Sequence, residues 1–284
     1  MSRAGTAAAP PRRHPPRRDL SRLGSGLLLV LVSAGALAAF CWPFLQAALP
    51  ADAQRAVPVL AIAAAIVLAA AVVAALGSSA QGAMLVAMLG TLTAVGMVLR
   101  FLGTGFGGIE TALILLILAG RVFGARFGFL LGATVMLGSA LLWGGVGPWL
   151  PFQVFAAGWV GAGAGLLPGR GSRFGIGRAH GTRFAAAAEL VLLAGYGALA
   201  AYLFGLLMNV WFWPFAVGGD TSISYDAEAG LGSNLIRFLT YSLVTSTLTW
   251  DTVRAITTVV GIVVIGRPVL AALRRSPLAR RAVR

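Results

Sequence analysis

Eight long apolar segments dominate this chain of 284 residues and restrict the environment in which it can fold. They lie at 27–49, 57–77, 83–101, 109–121, 127–143, 152–167, 185–208 and 235–266. A helix that crosses a bilayer needs about 20 predominantly apolar residues, so most of these segments are long enough to span. Charged residues make up only 11% of the chain, whereas soluble domains carry roughly 25%. The sequence therefore predicts an all-α integral membrane protein.

The arginine distribution predicts how these segments are oriented. All 22 basic residues are arginines, and membrane proteins concentrate basic residues on the cytoplasmic side. With the N-terminus placed inside, all but four arginines fall in the two tails or in connections on the cytoplasmic side. The exceptions are Arg55, Arg100, Arg237 and Arg254. The pattern therefore predicts an even number of spans and a plasma-membrane protein with both termini in the cytoplasm.

The terminal segments and the reactive residues argue against several other functions. Residues 1–26 are rich in Pro and Arg, so we expect a disordered cytoplasmic tail, and residues 267–284 form a second, basic tail. The net charge of +14 does not indicate a nucleic-acid partner, because the arginines are not gathered on one soluble face. The chain has no lysine, a single cysteine (Cys41) and no residue cluster with metal-ligand spacing. We therefore expect no phosphate-binding loop, no metal and no cofactor.

Polar and aromatic residues gather where the segments end on the predicted external side. The connection 102–109 is glycine-rich, 144–151 reads GGVGPWLP, and 209–234 contains NVWFWPF followed by an acidic run. If these ends converge, they line an outward-facing pocket for a large apolar ligand with polar edges. The candidate ligand-binding residues are Thr104, Phe106, Glu110, Trp149, Gln153, Asn209, Trp211, Trp213, Asn234, Arg237 and Tyr241. Two simpler interpretations stay open, namely that the Trp residues form an interfacial belt and that Glu110 caps a helix.

Two further patterns concern contacts inside the membrane. Asp251 and Arg254 lie three residues apart in the last segment. Charges at bilayer depth cost at least about 2.5–3.5 kcal/mol each, so these two are expected to pair near the inner interface or to face a protein interior. Small residues also recur four apart, as in the series Gly124, Gly128 and Gly132. This spacing lets helices approach closely, either within this chain or against another membrane subunit.

Two stretches carry a family resemblance: GGIETALILLILAGRVFGARFGFLLGATVMLGSALL and GVGPWLPFQVFAAGWVGAGAGLLP. Together with the downstream YLFGLLMNVWFWPF and TSTLTWDTVRAI, they resemble the substrate-binding S component of an energy-coupling factor (ECF) transporter, most of all its actinobacterial members. The resemblance covers residues 83–266 and implies a six-helix membrane core. Two additional helices at 27–77 precede that core and depart from the six-helix plan.

The resemblance also implies an activity. An S component binds a vitamin or similar micronutrient at the outer face, docks to a transmembrane coupling subunit, and topples in the membrane while two ATPase subunits supply the energy. It is not an enzyme. In this family, alanines spaced four apart on the first and third core helices dock to the coupling subunit. The matching residues here are Ala83 and Ala87 on the first helix, and Gly128 and Gly132 in place of alanines on the third. Cobalamin is the ligand that the resemblance suggests.

Two other functions stay open. A permease or scaffold subunit would have no ligand site of its own, and its Trp residues would form only a belt. A membrane-embedded lipid-modifying transferase would need a His or an acid cluster at the interface. The only intramembrane acid–base pair in the sequence is Asp251 with Arg254.

Overall fold

The computed structural model describes residues 20–46, 56–78, 82–103, 107–168, 183–218 and 221–282, and within these ranges it contains helices and no strand. The helices are α1 Leu20–Phe40, α2 Trp42–Gln46, α3 Val57–Ser78, α4 Ala83–Gly103, α5 Ala112–Phe123, α6 Ala125–Trp143, α7 Leu150–Leu166, α8 Arg183–Ala216, α9 Leu231–Ser242, α10 Thr252–Arg275 and α11 Pro277–Ala282. A π-helical stretch, Leu243–Asp251, joins α9 to α10 and is called the π segment below.

The helices are long and apolar enough to make this an all-α, multi-pass membrane protein. In the part of the chain that the structure describes, four helices qualify as membrane spans by length and composition: α4, α6, most of α8, and the continuous helix Leu231–Arg275 that contains the π segment. The other four apolar segments contain shorter apolar helical stretches, namely Leu29–Phe40, Val57–Ala71, Ala112–Phe123 and Leu150–Leu166. Where the structure describes them, all eight predicted apolar segments are therefore mainly helical, two before residue 80 and six after it.

Several boundaries differ from the prediction. Helix α1 begins at Leu20, so residues 20–26 are helical rather than part of a disordered tail, and the rest of that tail, 1–19, lies outside the described residues. Helix α8 continues to Ala216, although its apolar segment was predicted to end at residue 208. The last helix begins at Leu231 and ends at Arg275, whereas 235–266 was predicted. Hydropathy marks the part of a helix that matches lipid, but a helix continues beyond it when packing or good helix formers such as arginine allow.

The centre of the bundle is formed by α5, α6 and α7, which approach one another through glycine. Residues 112–120 of α5 are all buried. A methyl group added at Gly128 of α6 would collide with the carbonyl group of Gly161 in α7, and one at Gly132 would collide with that of Ala157. The small-residue series in α6 is therefore used for packing within the chain, which is one of the two alternatives that the spacing leaves open.

The two N-terminal helices are attached to the core mainly through α7. Phe40 at the end of α1 is fully buried and meets the ring of Phe152 edge-on, with 4.9 Å between centroids. Trp159 of α7 donates a hydrogen bond from its indole N–H to the Ser33 hydroxyl of α1 at 2.9 Å. Helices α1 and α3 also pack on each other. They are part of the same bundle as the later helices.

An ion-pair cluster ties helices together at one end of the bundle. Arg121 of α5 donates from Nε to Glu189 Oε1 in α8 at 2.9 Å, and Arg274 of α10 donates to the same oxygen at 2.6 Å. Arg121 also donates to the carbonyl oxygens of Leu167 and Pro168, which follow α7. The helix ends gathered here are those that the arginine pattern predicts to be cytoplasmic.

Candidate ligand-binding cavity

A cavity of about 580 Å³ lies at the opposite end of the bundle. Its walls come from the end of α4 (100–103), the connection between α4 and α5 (107–110), the end of α6 (139–145), and the junction of the π segment with α10 (250–254). The volume falls within the roughly 300–1,000 Å³ that is usual for sites of drug-sized ligands. This is the end that the arginine pattern predicts to be external.

The connection between α4 and α5 is held against the π segment by its backbone. Gly108 has φ of +87°, a conformation that side chains disfavour, and its Cα faces the main chain of Trp250. Thr111 donates a hydrogen bond from its hydroxyl to the carbonyl oxygen of Leu99 at 2.6 Å, which ties the other end of the connection to α4. The cavity wall is thus fixed from both sides.

Arg100 projects from the last turn of α4 into the cavity wall. Its Nη1 donates to the hydroxyl of Ser139 at 2.7 Å, and its Nη2 donates to Oε1 of Gln153 at 3.4 Å. Ser139 is almost completely buried in α6, and Gln153 lies in the first turn of α7. These bonds orient the guanidinium group between three helices.

Arg254 supplies a second guanidinium group from the first turn of α10. Its Nη1 lies 2.6 Å from Oδ1 of Asp251, whose side chain is 1% exposed, and its guanidinium carbon lies 5.3 Å from the centre of the Phe204 ring. Asp251 also accepts a hydrogen bond from Ser246 at 3.2 Å. The predicted ion pair is confirmed. Asp251 lies against Gly205 of α8, and Arg254 lines the cavity, so the pair lies at the cavity end of the bundle rather than near the end predicted to be cytoplasmic.

Glu110 adds a carboxylate to the same cavity lining as the two arginines. This carboxyl is buried, and Arg100 and Arg254 are the charged side chains that act on it. Its Oε1 atom is buried and has no hydrogen-bond partner among the described residues. An unsatisfied buried acceptor costs about 1–3 kcal/mol, so an occupant that donates a hydrogen bond would remove this cost. The alternative of a helix cap is not observed, since α5 has Thr111 at its N-cap and no side-chain capping bond.

The π segment is the feature of the site that the sequence did not reveal. It spans nine residues, whereas π-helices are rare, appear mostly as single turns, and often occur at functional sites. Two hydroxyl groups bond to carbonyl oxygens at and next to the segment: Thr245 donates to Tyr241 at the end of α9, and Thr252 of α10 donates to Thr247, each at 2.7 Å. The widened helix sets the register that brings Trp250 to the α4–α5 connection.

Several predicted ligand-binding residues lie in a separate aromatic cluster. Trp213 is fully buried, donates from its indole N–H to the carbonyl oxygen of Ile223 at 2.8 Å, and packs edge-on against Tyr225 and Phe238. Tyr241 belongs to the same cluster. Trp211 packs on Phe152, with 5.0 Å between ring centroids, and its carbonyl oxygen accepts a bond from Trp42. Neither Trp211 nor Trp213 lines the cavity.

Other predicted residues stabilise the connection between α8 and α9. Asn234 is fully buried; its side-chain amide donates to the carbonyl oxygens of Asp226 and Ala229 and accepts from the Asp226 N–H. Arg237 donates to the carbonyl oxygen of Ser224 at 3.3 Å and lies 3.6 Å from the Asp226 carboxylate. These bonds fix the conformation of residues 221–237.

The remaining predicted residues are dispersed. Asn209 donates to the Ser242 hydroxyl at 2.9 Å and joins α8 to α9. Trp149 is 38% exposed and donates to the carbonyl oxygen of Gly145 at 3.1 Å. Thr104 and Phe106 lie outside the described residues. Of the eleven predicted residues, the structure therefore places Glu110 in the cavity lining and Gln153 behind it, as a partner of Arg100.

The predicted docking residues have opposite environments. Ala83 and Ala87 are exposed on α4, and Gly90 on the same helix has open space beside it. Gly128 and Gly132 are buried between α6 and α7, where another subunit cannot reach them. The structure thus leaves α4, but not this part of α6, accessible to a partner.

Comparison with protein-family models, with curated proteins and with solved structures gave no match. The chemistry of the cavity is therefore the main structural guide to function. It offers two guanidinium groups, one carboxylate oxygen without a partner, and aromatic walls from Phe101, Trp143 and Trp250. No group of three potential metal ligands occurs in the part of the chain that the structure describes. Such walls suit the binding of a small polar molecule with an apolar frame.

Proposed function

We propose that this chain is the substrate-binding S component of an ECF transporter in the plasma membrane. It binds a vitamin-class micronutrient at the outer face, in the cavity beside Glu110, and catalyses no reaction. A transmembrane coupling subunit and two ATPase subunits complete the transporter, and toppling of the loaded chain delivers its ligand to the cytoplasm, where both termini lie.

The observation that carries this proposal is the cavity with charged walls inside an apolar bundle. Charged residues at membrane depth are expensive and usually mark substrate pathways or binding sites. Four arginines depart from the cytoplasmic distribution, and two of them, Arg100 and Arg254, line this cavity. A scaffold subunit without a ligand site would gain nothing from two arginines in the wall of a cavity.

Exposure of α4 supports the proposed coupling partner. Only 11% of its apolar window is buried within the chain, the smallest share among the four long helices. Ala83 and Ala87 leave a shallow surface on which another helix could approach closely. We propose that the coupling subunit docks there, without a contribution from Gly128 and Gly132, which are already used inside the chain.

Binding by the isolated chain tests the proposal. Purified protein in lipid nanodiscs, without ATP, is titrated calorimetrically with a panel of vitamins, and we expect one of them to bind with micromolar or tighter affinity. Gly107 lies in the cavity wall with open space beside it, so Gly107→Trp should fill the cavity and abolish binding. Gly218→Trp is the matched control, since Gly218 also has open space but lies outside the cavity.

Three outcomes would contradict the proposal. Folded protein that binds no vitamin of the panel would indicate a subunit without a ligand site. Equal binding by the Gly107→Trp variant would place the site elsewhere. Recovery of a chemically altered compound after incubation would support the membrane-embedded transferase instead.

A further inference from the structure

We infer that the ligand of this cavity is a small carboxylic acid that also carries an N–H or O–H donor. Its acid group would be held by the arginines and its donor by Glu110. This inference rests on the proposed function, because it names the substrate class of the same site.

The charged groups of the lining favour an acid. Two arginines, Arg100 and Arg254, line the cavity, whereas Glu110 is the one carboxylate among the described lining residues; Asp251, behind the lining, pairs with Arg254. Arginine presents a planar fork of donors that matches a carboxylate and binds it through two parallel hydrogen bonds. The neutral side chains of Ser139 and Gln153 orient the Arg100 fork, and Asp251 orients that of Arg254. Preorganised guanidinium groups are costly to hold in a membrane bundle, and an anionic ligand would use both.

The buried oxygen of Glu110 adds a second requirement. Oε1 has no partner in the described part of the chain, and both neighbouring charged side chains belong to arginines. A ligand that only accepted hydrogen bonds would leave this oxygen unsatisfied. A ligand with an N–H or O–H group would satisfy it, and hydrogen bonds to charged groups contribute more than neutral ones.

The volume and the aromatic walls of the cavity limit the part of the ligand that connects its acid group to its donor. The rings of Phe101 and Trp143 are stacked with 5.1 Å between centroids, and both line the cavity. They offer a flat apolar surface to a ring or a short chain. Cobalamin is bulkier than a cavity of about 580 Å³ admits, and its periphery carries amides rather than free acids. The lining therefore favours a small acid over the corrinoid that the family resemblance suggests.

A ligand series in which one group changes at a time tests the inference. Purified chain in nanodiscs is titrated with biotin, pantothenate and folate, which combine an acid with N–H or O–H donors. Lipoate and nicotinate are acids without such a donor, and riboflavin, nicotinamide and cyanocobalamin are not carboxylic acids. We expect the tightest binder to come from the first group. Its methyl ester should bind about ten- to a hundredfold more weakly, as expected when a charge-assisted bond is lost.

Variants of Glu110 test whether its carboxylate accepts a hydrogen bond from the ligand's N–H or O–H group. Glu110→Ala should weaken binding of the best ligand about ten- to a hundredfold, but change lipoate or nicotinate binding less than about threefold. Glu110→Gln keeps an acceptor oxygen and should recover part of the affinity. Glu228→Ala, which removes an exposed acid outside the cavity, is the matched control and should bind like the unmodified chain. If Glu110→Ala does not fold, the comparison of acid with ester still decides the first contact.

The outcomes separate this inference from the proposed function. Tight binding of cyanocobalamin or another compound without an acid group, unaffected by the Glu110 variants, would overturn the inference and leave the transporter proposal intact. Binding of an acid that is insensitive to esterification would also overturn it. Absence of binding by every compound would contradict the proposed function itself.

Discussion

Replacement of Gly108 by alanine tests how the cavity wall is built. Gly108 has φ of +87°, and a methyl group added there would lie 2.9 Å from the Cα atom of Trp250 and 3.0 Å from its carbonyl carbon. Both atoms are main chain of the π segment, so no side-chain rotation relieves the contact. The connection between α4 and α5 would have to move away from the π segment.

Two contributions determine how far Gly108→Ala lowers the free energy of unfolding. A side chain at positive φ costs about 1–2 kcal/mol, and overpacking against a rigid neighbour adds about 1–3 kcal/mol. We therefore expect Gly108→Ala to lower the free energy of unfolding by about 2–5 kcal/mol. Gly144→Ala isolates the first contribution, because Gly144 has φ of +75° and nothing within 4 Å of an added methyl group. Gly107→Ala has neither contribution and should change stability by less than about 1 kcal/mol.

Reversible unfolding of the three variants in mixed micelles, followed by circular dichroism, gives the free energies. Ligand affinity of each folded variant is measured calorimetrically with the tightest vitamin of the panel. We expect Gly108→Ala alone to lose affinity by at least about tenfold, equivalent to ~1.4 kcal/mol, because only this change displaces the wall. Equal stability and affinity of Gly108→Ala and Gly144→Ala would refute the contact between the connection and the π segment.

Three further substitutions test the packing around the site. Gly205→Ala should destabilise the chain by about 1–3 kcal/mol in the same unfolding assay, because a methyl group there collides with the buried Asp251 carboxylate. Gly195→Ala on the same helix is the control: its methyl group meets open space, and the change should be neutral or slightly stabilising. Asp251→Asn should cost about 3–5 kcal/mol, since it leaves a mostly buried arginine without its ion-pair partner, and a loss below about 1 kcal/mol would mean that the pair is solvated. Gly128→Ala should separate α6 from α7 and lower the thermal midpoint, whereas Gly90→Ala on the exposed face of α4 should not.

Helix positions were predictable because lipid imposes a simple rule on sequence. An apolar segment of sufficient length in such a chain becomes a helix, and all eight segments are mainly helical where the structure describes them. The Asp251–Arg254 pair was predictable for a related reason, since residues three apart face the same side of a helix and neither charge is tolerated alone. The small-residue spacing predicted close approach of helices, but not whether the partner helix belonged to this chain.

The candidate site was predicted only in part. Aromatic residues at helix ends indicate the interface but not the side of the helix that they occupy, and Trp211 and Trp213 turned inward to pack on other rings. Arg100 was not selected as a ligand-binding residue, although a signal existed: it is one of the four arginines outside the cytoplasmic pattern. Trp250 could not be placed, because nothing in the Ser- and Thr-rich sequence around it predicts nine residues of π-helix.

Labelling of a cysteine in the cavity wall from outside the cell tests the central claim most directly. Gly107→Cys is introduced into a Cys41→Ala background and compared with Gly82→Cys, another glycine with open space that lies at the predicted cytoplasmic end. A membrane-impermeant maleimide should label position 107 in intact cells, and the tightest-binding vitamin of the panel should slow that labelling, while position 82 should react only after permeabilisation. Labelling of position 107 only in permeabilised cells, or at a rate unaffected by that vitamin, would contradict an outward-facing ligand cavity.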